Sequence, residues 1–321
     1  MNKEVRKPKV LYHYCSVEAF YNIIKNHSIW LSDLRKTNDE KELIWVKGIV
    51  EQEVLPYIRG KLVTCVGDES RGWSVADFLV RDADLGISCW GFCLTGKDDN
   101  LGQWRGYGDD GAGVSIGFKR DELETLILAG AARPARYRKD VYLSKPELTL
   151  VKVKYKKETK ILNVILHKAR RFLRENQDFC KYLEKQLKNA GFHGIQISLE
   201  VAEKVVMEWI AMRMGPIYKM RAFKEEKEWR IIFTMPRNKL TEDNLEKYRW
   251  PYGMKFKEFK FNEESLVSHL DIEFVDMKDV IKSITIGPKS KLTEQDIELI
   301  LRWNGVYSDS IEIKKSKASY R

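Results

Sequence analysis

Apolar and polar positions alternate with period two in several short stretches of the chain, and recur with a period near 3.6 between them. Successive side chains of a strand point to opposite faces. The alternation predicts strands over residues 10–15 (VLYHYC), 29–34 (IWLSDL), 85–95 (LGISCWGFCLT), 113–118 (GVSIGF) and 226–235. Ser16 precedes VEAFYNIIKN as a helix N-cap, with Phe20, Ile23 and Ile24 on one face. Further helices are expected from about residue 42 to Leu55, over 158–190 and over 198–213. In the last of these Val201, Val205, Trp209 and Met212 form a core face, and Gly215 and Pro216 end it. Residues 66–84 show no period and read as an insertion; residues 236–265 read as polar and irregular. The C-terminal part predicts strand (SITIG), a helix capped by Thr293 and stopped by Gly305, then strand (SIEIKKS). Residues 98–113, DDNLGQWRGYGDDGAG, hold five of the 20 glycines and read as one long loop between two strands. Loops longer than about 12 residues in a compact domain are often functional. No repeat or linker divides the chain. The expectation is a single α+β domain with a helical insertion at about 155–215.

Composition narrows the class. With 321 residues, 43% hydrophobic and 11% aromatic, the chain can bury a core and is not of the disordered type. No apolar run reaches the roughly 18 residues of a membrane helix, so no membrane partner is expected. MNKEVRKPKV lacks the apolar region of a secretory signal. The five cysteines (Cys15, Cys65, Cys89, Cys93, Cys180) make no CxxC pair, which suits reduced, mostly buried thiols in a cytoplasmic protein. Cys89 and Cys93, four apart in a strand, share a face. The five histidines show no zinc-binding spacing, and no metal is expected. The net charge of +10 admits nucleic acid, nucleotides or an acidic protein as partner.

The chemistry concentrates in KMRAFKEEKEWRIIF, residues 219–233. If the strand begins near Glu226, then Glu226, Glu228 and Arg230 share one face and Trp229, Ile231 and Phe233 the other. Charged groups on one face line a site or meet water. Two close carboxylates should split, one pKa rising and the other falling. The alternative is an exposed strand face with an incidental ion pair. In LYHYCS, His13 alternates with Tyr12 and Tyr14, and its imidazole at a strand end could hydrogen-bond a ribose hydroxyl. A structural histidine fits the same spacing. In GQWRGYGDDG the glycines allow close backbone approach, Trp104 and Tyr107 could stack on a flat ring, and Arg105 could fork to phosphate. The GxGxxG and Walker patterns are absent. Glu225 and Lys227 spell the ExK of metal-dependent nucleases, yet alternation puts both on the Trp229 face.

Four stretches together resemble the family called domain of unknown function 2971: LYHYCSVEAFYNIIKNHSIWLSDLRKTNDEKE, LGQWRGYGDDGAGVSIGF, KxxxFKEEKEWR, and IGPKS…IEIKKSKASYR. The resemblance preserves order and spans most of the chain outside about 60–84 and 140–215. More distantly, a strand ending in His-Tyr-Cys before a helix, a short strand with Ser32 and a late strand with a Glu resemble the histidine-type ADP-ribosyltransferases. That resemblance implies a split, mixed or antiparallel sheet and NAD as substrate. It implies that His13 holds the nicotinamide-side ribose, and that Glu228, with Glu226 two residues before it, is catalytic. Trp104 or Tyr107 stands for the middle aromatic. The NAD-binding set expected is His13, Tyr14, Ser32, Trp104, Arg105, Tyr107, Lys219 and Arg230. A toxin or phage-defence effector that modifies nucleic acid or protein is the role implied. Two other classes stay open: a metal-dependent nuclease built on the 225–228 acidic cluster, and a non-catalytic nucleotide or nucleic-acid binding module.

Overall fold

A computed structural model describes residues 8–36, 46, 48–49, 52, 87–131, 147–156, 160–167, 214–236, 240–248, 254–261 and 267–320. The chain opens with strand β1 (Val10–Cys15), helix α1 (Val17–Asn26) and strand β2 (Ser28–Asp33). Ser16 caps α1 by accepting a hydrogen bond from the Ala19 N–H at 3.1 Å. β3 is Ile87–Thr95. The expected glycine-rich loop contains a helix, α2 (Leu101–Tyr107), and a 3-10 turn at Asp109–Gly111. The Asn100 side chain caps α2 by accepting from the Gln103 N–H at 3.2 Å, and Trp104 is fully buried beneath it. Its glycines serve the chain itself: a Cβ on Gly113 would collide with the Cys15 carbonyl, and one on Gly108 with the Trp104 ring.

β4 (Val114–Lys119) leads into α3 (Arg120–Ala131). β5 (Glu147–Lys152), β6 (Lys154–Lys156) and β7 (Tyr218–Met220) lie on either side of the expected insertion. Residues 160–167 are helical. The rest of the insertion, the basic stripe at Lys168, Arg170, Arg171 and Arg174, the helix over 198–213 and residues 66–84 lie outside the described residues. Residues 221–226 form a 3-10 turn, so β8 (Glu228–Pro236) begins two residues later than the alternation suggested. Residues 236–265 are not irregular throughout. They contain α4 (Glu242–Lys247) and β9 (Met254–Phe261), and β10 (Ser268–Phe274) follows. The register of β9 slips opposite Asp271/Ile272, and this bulge breaks the alternation of Phe256 and Phe259. α5 (Met277–Val280), β11 (Ile281–Ile286), α6 (Glu294–Trp303) and β12 (Glu312–Lys315) complete the chain.

The strands make a ten-stranded mixed, mostly antiparallel sheet in the order β12-β11-β4-β1-β3-β2-β10-β9, with β8 between β3 and β5; β6 and β7 pair separately. β8 takes one edge of β3 along its whole length. β1 and β2 compete for the other edge. β1 pairs there only through Tyr12↔Thr95, and β2 only through Ser32↔Gly91 and Asp33↔Trp90. Two strands of the same direction cannot occupy one edge at one height, so they splay apart beside Phe92–Leu94. The sheet splits into a β1-β4-β11-β12 wing and a β2-β10-β9 wing, with α1 connecting the wings. Leu11, Phe20, Ile24, Ile29, Leu31, Phe92, Trp229, Ile231 and Phe233 are among the core side chains packed together on the α1 side. Among the described residues no helix is long and apolar enough to cross a membrane.

Candidate functional site

A cavity of about 910 Å³ opens at the split. β3 lines its floor from Gly91 to Thr95, and α1 contributes Ala19, Asn22 and Ile23. Its lining brings together His13, Tyr14, Ser32, Tyr107, Lys219, Glu226, Glu228 and Arg230.

One end is an acid cluster. Glu228 and Arg230 alternate on β8 and face the cavity together. The guanidinium grips the Glu228 carboxylate with two bonds, Nε to Oε1 at 2.6 Å and Nη2 to Oε2 at 3.0 Å. Arg230 also donates to the Pro216 carbonyl at 3.2 Å. The left-handed backbone of Lys227 (φ 46°) turns the chain between the 3-10 turn and β8. Glu226 therefore reaches the cluster from the turn and not from the strand face. Lys219 lies between the two carboxylates, 2.9 Å from Glu226 and 3.4 Å from Glu228. The Tyr107 hydroxyl donates to Glu226 at 3.3 Å. The Tyr155 hydroxyl accepts the Glu228 N–H at 2.8 Å.

Burial pushes the Glu228 carboxyl up, but the Arg230 guanidinium and Lys219 outweigh it and hold the group below its ordinary range. The expected repulsion of two neighbouring carboxylates is thus relieved by a cation between them. Burial, reinforced by Glu226, pushes the Tyr107 phenol up to about 12, so it remains a donor. The Glu228 side chain is 8% exposed and that of Glu226 is 20% exposed, so Glu226 is the more open to an incoming molecule.

His13 stands where β1 leaves β3. Its Nδ1 meets the Cys93 carbonyl at 2.9 Å, and its ring stacks on Phe92 at 4.1 Å. A carbonyl only accepts, so Nδ1 carries the proton and Nε2 presents a lone pair. Burial lowers the ring's pKa to about 4, against a smaller opposing effect of the Cys93 carbonyl, so the imidazole is neutral near pH 7. Period-two parity on neighbouring strands would put His13 on the Glu228 face, and the observed register does not. Tyr12 pairs with Thr95 and Thr95 with Glu228, which puts Tyr12 and Glu228 on one face and His13 on the other. His13 still lines the same cavity because the strand pairing stops at this point and the cavity enters the gap.

Two residues expected to bind ligand stand elsewhere. Trp104 is fully buried, its Nε1 donating to Asp99 at 2.8 Å and its ring meeting Tyr14 edge-on at 4.6 Å. It props α2 and cannot stack on a ligand. Arg105 points to the surface, over the Tyr320 ring at 5.2 Å, because the helix turns it away from the cavity. Tyr14 borders the cavity, but its hydroxyl is engaged, donating to the Lys97 carbonyl at 3.1 Å and accepting the Asn100 N–H at 3.0 Å. Glu225 and Lys227 do not lie on the core face of a strand. Glu225 is exposed in the turn and Lys227 makes the bend. Among the described residues no group of three or more His, Cys, Asp or Glu side chains could hold a metal.

Sequence reasoning missed several wall residues. Cys93 opens onto the cavity floor, while Cys89, on the same face, is buried. Crowding by protein, reinforced by Glu228, pushes the Cys93 thiol up to about 12, so it is not a thiolate. Trp30 and His269 were legible in principle. Trp30 alternates with Ser32 in SIWLSD, and Leu270, Ile272 and Phe274 mark SHLDIEF as a strand.

Residues 103–231 match the model of a family described as "Protein of unknown function (DUF2971)", which supports the resemblance read from the chain. No curated protein and no solved structure matches the chain.

Proposed function

We propose that this protein is an ADP-ribosyltransferase-like enzyme that takes NAD as its substrate in the cavity at the sheet split. One observation carries the reading. His13 and Glu228, chosen from the sequence as ribose-holding groups, line a single cavity although more than two hundred residues separate them. The cavity lies within the roughly 300–1,000 Å³ typical of small-molecule sites. The neutral His13 ring offers Nε2 to a ribose hydroxyl. Arg230 and Lys219 take three of the roughly four acceptor positions of the Glu228 carboxylate and the weakly donating Cys93 thiol meets it too, so a second ribose hydroxyl would take the place of the thiol.

In this reaction the bond between nicotinamide and ribose C1′ breaks and its electron pair leaves with nicotinamide. The lone pair of an acceptor, or of water, then forms the new bond to C1′, and the attacking group gives up a proton. Positive charge develops on the ribose, and a fixed, ionised carboxylate beside it stabilises that charge. Glu228 is held for this purpose by Arg230. Glu226, nearer the opening, is placed to receive the proton. The basic surface favours an acidic acceptor such as nucleic acid. A nuclease reading gains no comparable support, because Lys219 and Arg230 already engage both inward carboxylates.

The test is release of nicotinamide from NAD by the full chain, with and without cellular RNA, DNA or protein. Turnover that depends on Glu228 is expected. Absence of both NAD turnover and NAD binding under all of these conditions would overturn the reading, and Mg²⁺-dependent cleavage of nucleic acid without NAD would replace it with the nuclease.

A further inference from the structure

The far end of the cavity differs from the acid cluster. Trp30 on β2 is 37% exposed, and its ring tilts against that of His269 at 5.2 Å. His269 is buried, its Nδ1 lies 3.0 Å from the Ser32 hydroxyl, and its Nε2 has no partner among the described residues. Burial holds this imidazole below its ordinary pKa, against a smaller opposing effect of Asp33, so the ring is neutral. A large indole open to a cavity, beside a buried ring nitrogen without a partner, suits a neutral flat heterocycle with a polar edge.

β3 measures the separation of the two ends. Ser32 pairs with Gly91, and Glu228 lies across the strand opposite Thr95. Four residues along a strand span about 13 Å and two strand spacings about 10 Å. The ends therefore stand about 16 Å apart, by the same spacings. A mononucleotide held at one end does not reach the other, whereas a dinucleotide does. We infer that Trp30, Ser32 and His269 form the subsite for the adenine base of the dinucleotide, with the nicotinamide-side ribose at the acid cluster. This deepens the NAD reading and rests on it.

Adenosine monophosphate and nicotinamide mononucleotide separate the two ends by calorimetry on the full chain. Trp30→Ala should weaken adenosine monophosphate about 10-fold or more, the range of base–aromatic stacking. It should leave nicotinamide mononucleotide unchanged, and Trp30→Phe should restore most of the loss. Glu228→Gln should not alter adenosine monophosphate binding. Unchanged adenosine monophosphate affinity in Trp30→Ala, no binding of it to the parent, or a loss in Glu228→Gln would overturn the subsite. So would a dependence on Trp30 shown by a single-stranded oligonucleotide alone, since the acceptor would then occupy this end. If adenosine monophosphate binds through Trp30 while nicotinamide mononucleotide does not bind at all, the subsite stands and the NAD reading fails.

Discussion

The two faces of β8 are equally buried and differ in kind. On one, Trp229, Ile231 and Phe233 pack into the core beneath α1. On the other, Ile232 packs with Leu34 and Cys89, while Glu228 and Arg230 are as well covered but are held by charged and polar groups. Apolar burial contributes about 25 cal/mol per Å². A buried ion pair, by contrast, roughly breaks even against apolar residues of the same volume. The first face therefore holds the fold. The charged pair of the second adds little to stability, and the positioning of a carboxylate in a cavity is what it does provide.

Single substitutions can break this contrast. Phe233→Ala should cost about 3–5 kcal/mol of unfolding free energy, measured in urea, with turnover per folded molecule retained. A small loss would mean that the core face does not carry the fold. Arg230→Met should cost about 3 kcal/mol, because the buried Glu228 loses its two-bond partner and keeps only the longer contact to Lys219. The double variant Glu228→Leu/Arg230→Met should recover most of that loss in the same urea titration while remaining inactive. A double variant as unstable as the single one would show that the polar face is structural after all.

Glu228→Gln keeps the shape and removes the charge. It should lower the rate of nicotinamide release per folded molecule by more than about 100-fold, and it should lower the melting temperature as well, because the buried Arg230 guanidinium loses its charged partner. A folded variant as active as the parent would remove Glu228 from the mechanism.

The smallest effects belong to His13, where the wings part. Its folded pKa of about 4 is depressed, so between that value and about 6.5 the unfolded chain binds more protons than the folded one. Stability should rise with pH across that window, by at most about 1.4 kcal/mol per unit from this group. Stability measured at pH 4.5 and 6.5 should show the slope in the parent and a shallower one in His13→Ala. The same variant should weaken NAD by about 1 kcal/mol, the worth of one hydrogen bond. An unaltered slope together with unaltered affinity would sink both roles.

The β1–α1–β2 unit was legible because its signals are local: alternation, an N-cap serine, alternation again. The core face of β8 was legible for the same reason. Glu226 was grouped with Glu228 correctly but for the wrong reason, since a 3-10 turn and the left-handed Lys227 bring it in. The glycines of residues 102–113 suggested a loop, but Asn100 at the cap and Trp104 at the core outweigh them and form a helix. That helix consumes Trp104 and turns Arg105 outward. β9 was hidden by its bulge. The face of His13 was not legible at all, because alternation along β1 does not tell where its pairing with β3 ends.

His13 completes the sheet edge with its side chain where β1 and β3 no longer pair, and the same ring borders the cavity. If the NAD proposal holds, one residue is thus under two selections. In a lineage that gave up catalysis, the need to cover the Cys93 carbonyl would still oppose change at position 13. Tyr107 is half exposed and among the described residues its hydroxyl bonds to Glu226, so it would be released first. Decay of such an enzyme should begin at Tyr107 and Glu226 and reach His13 last. An ordered loss of that kind would make the histidine a marker of the architecture and the mouth of the cavity a marker of the chemistry.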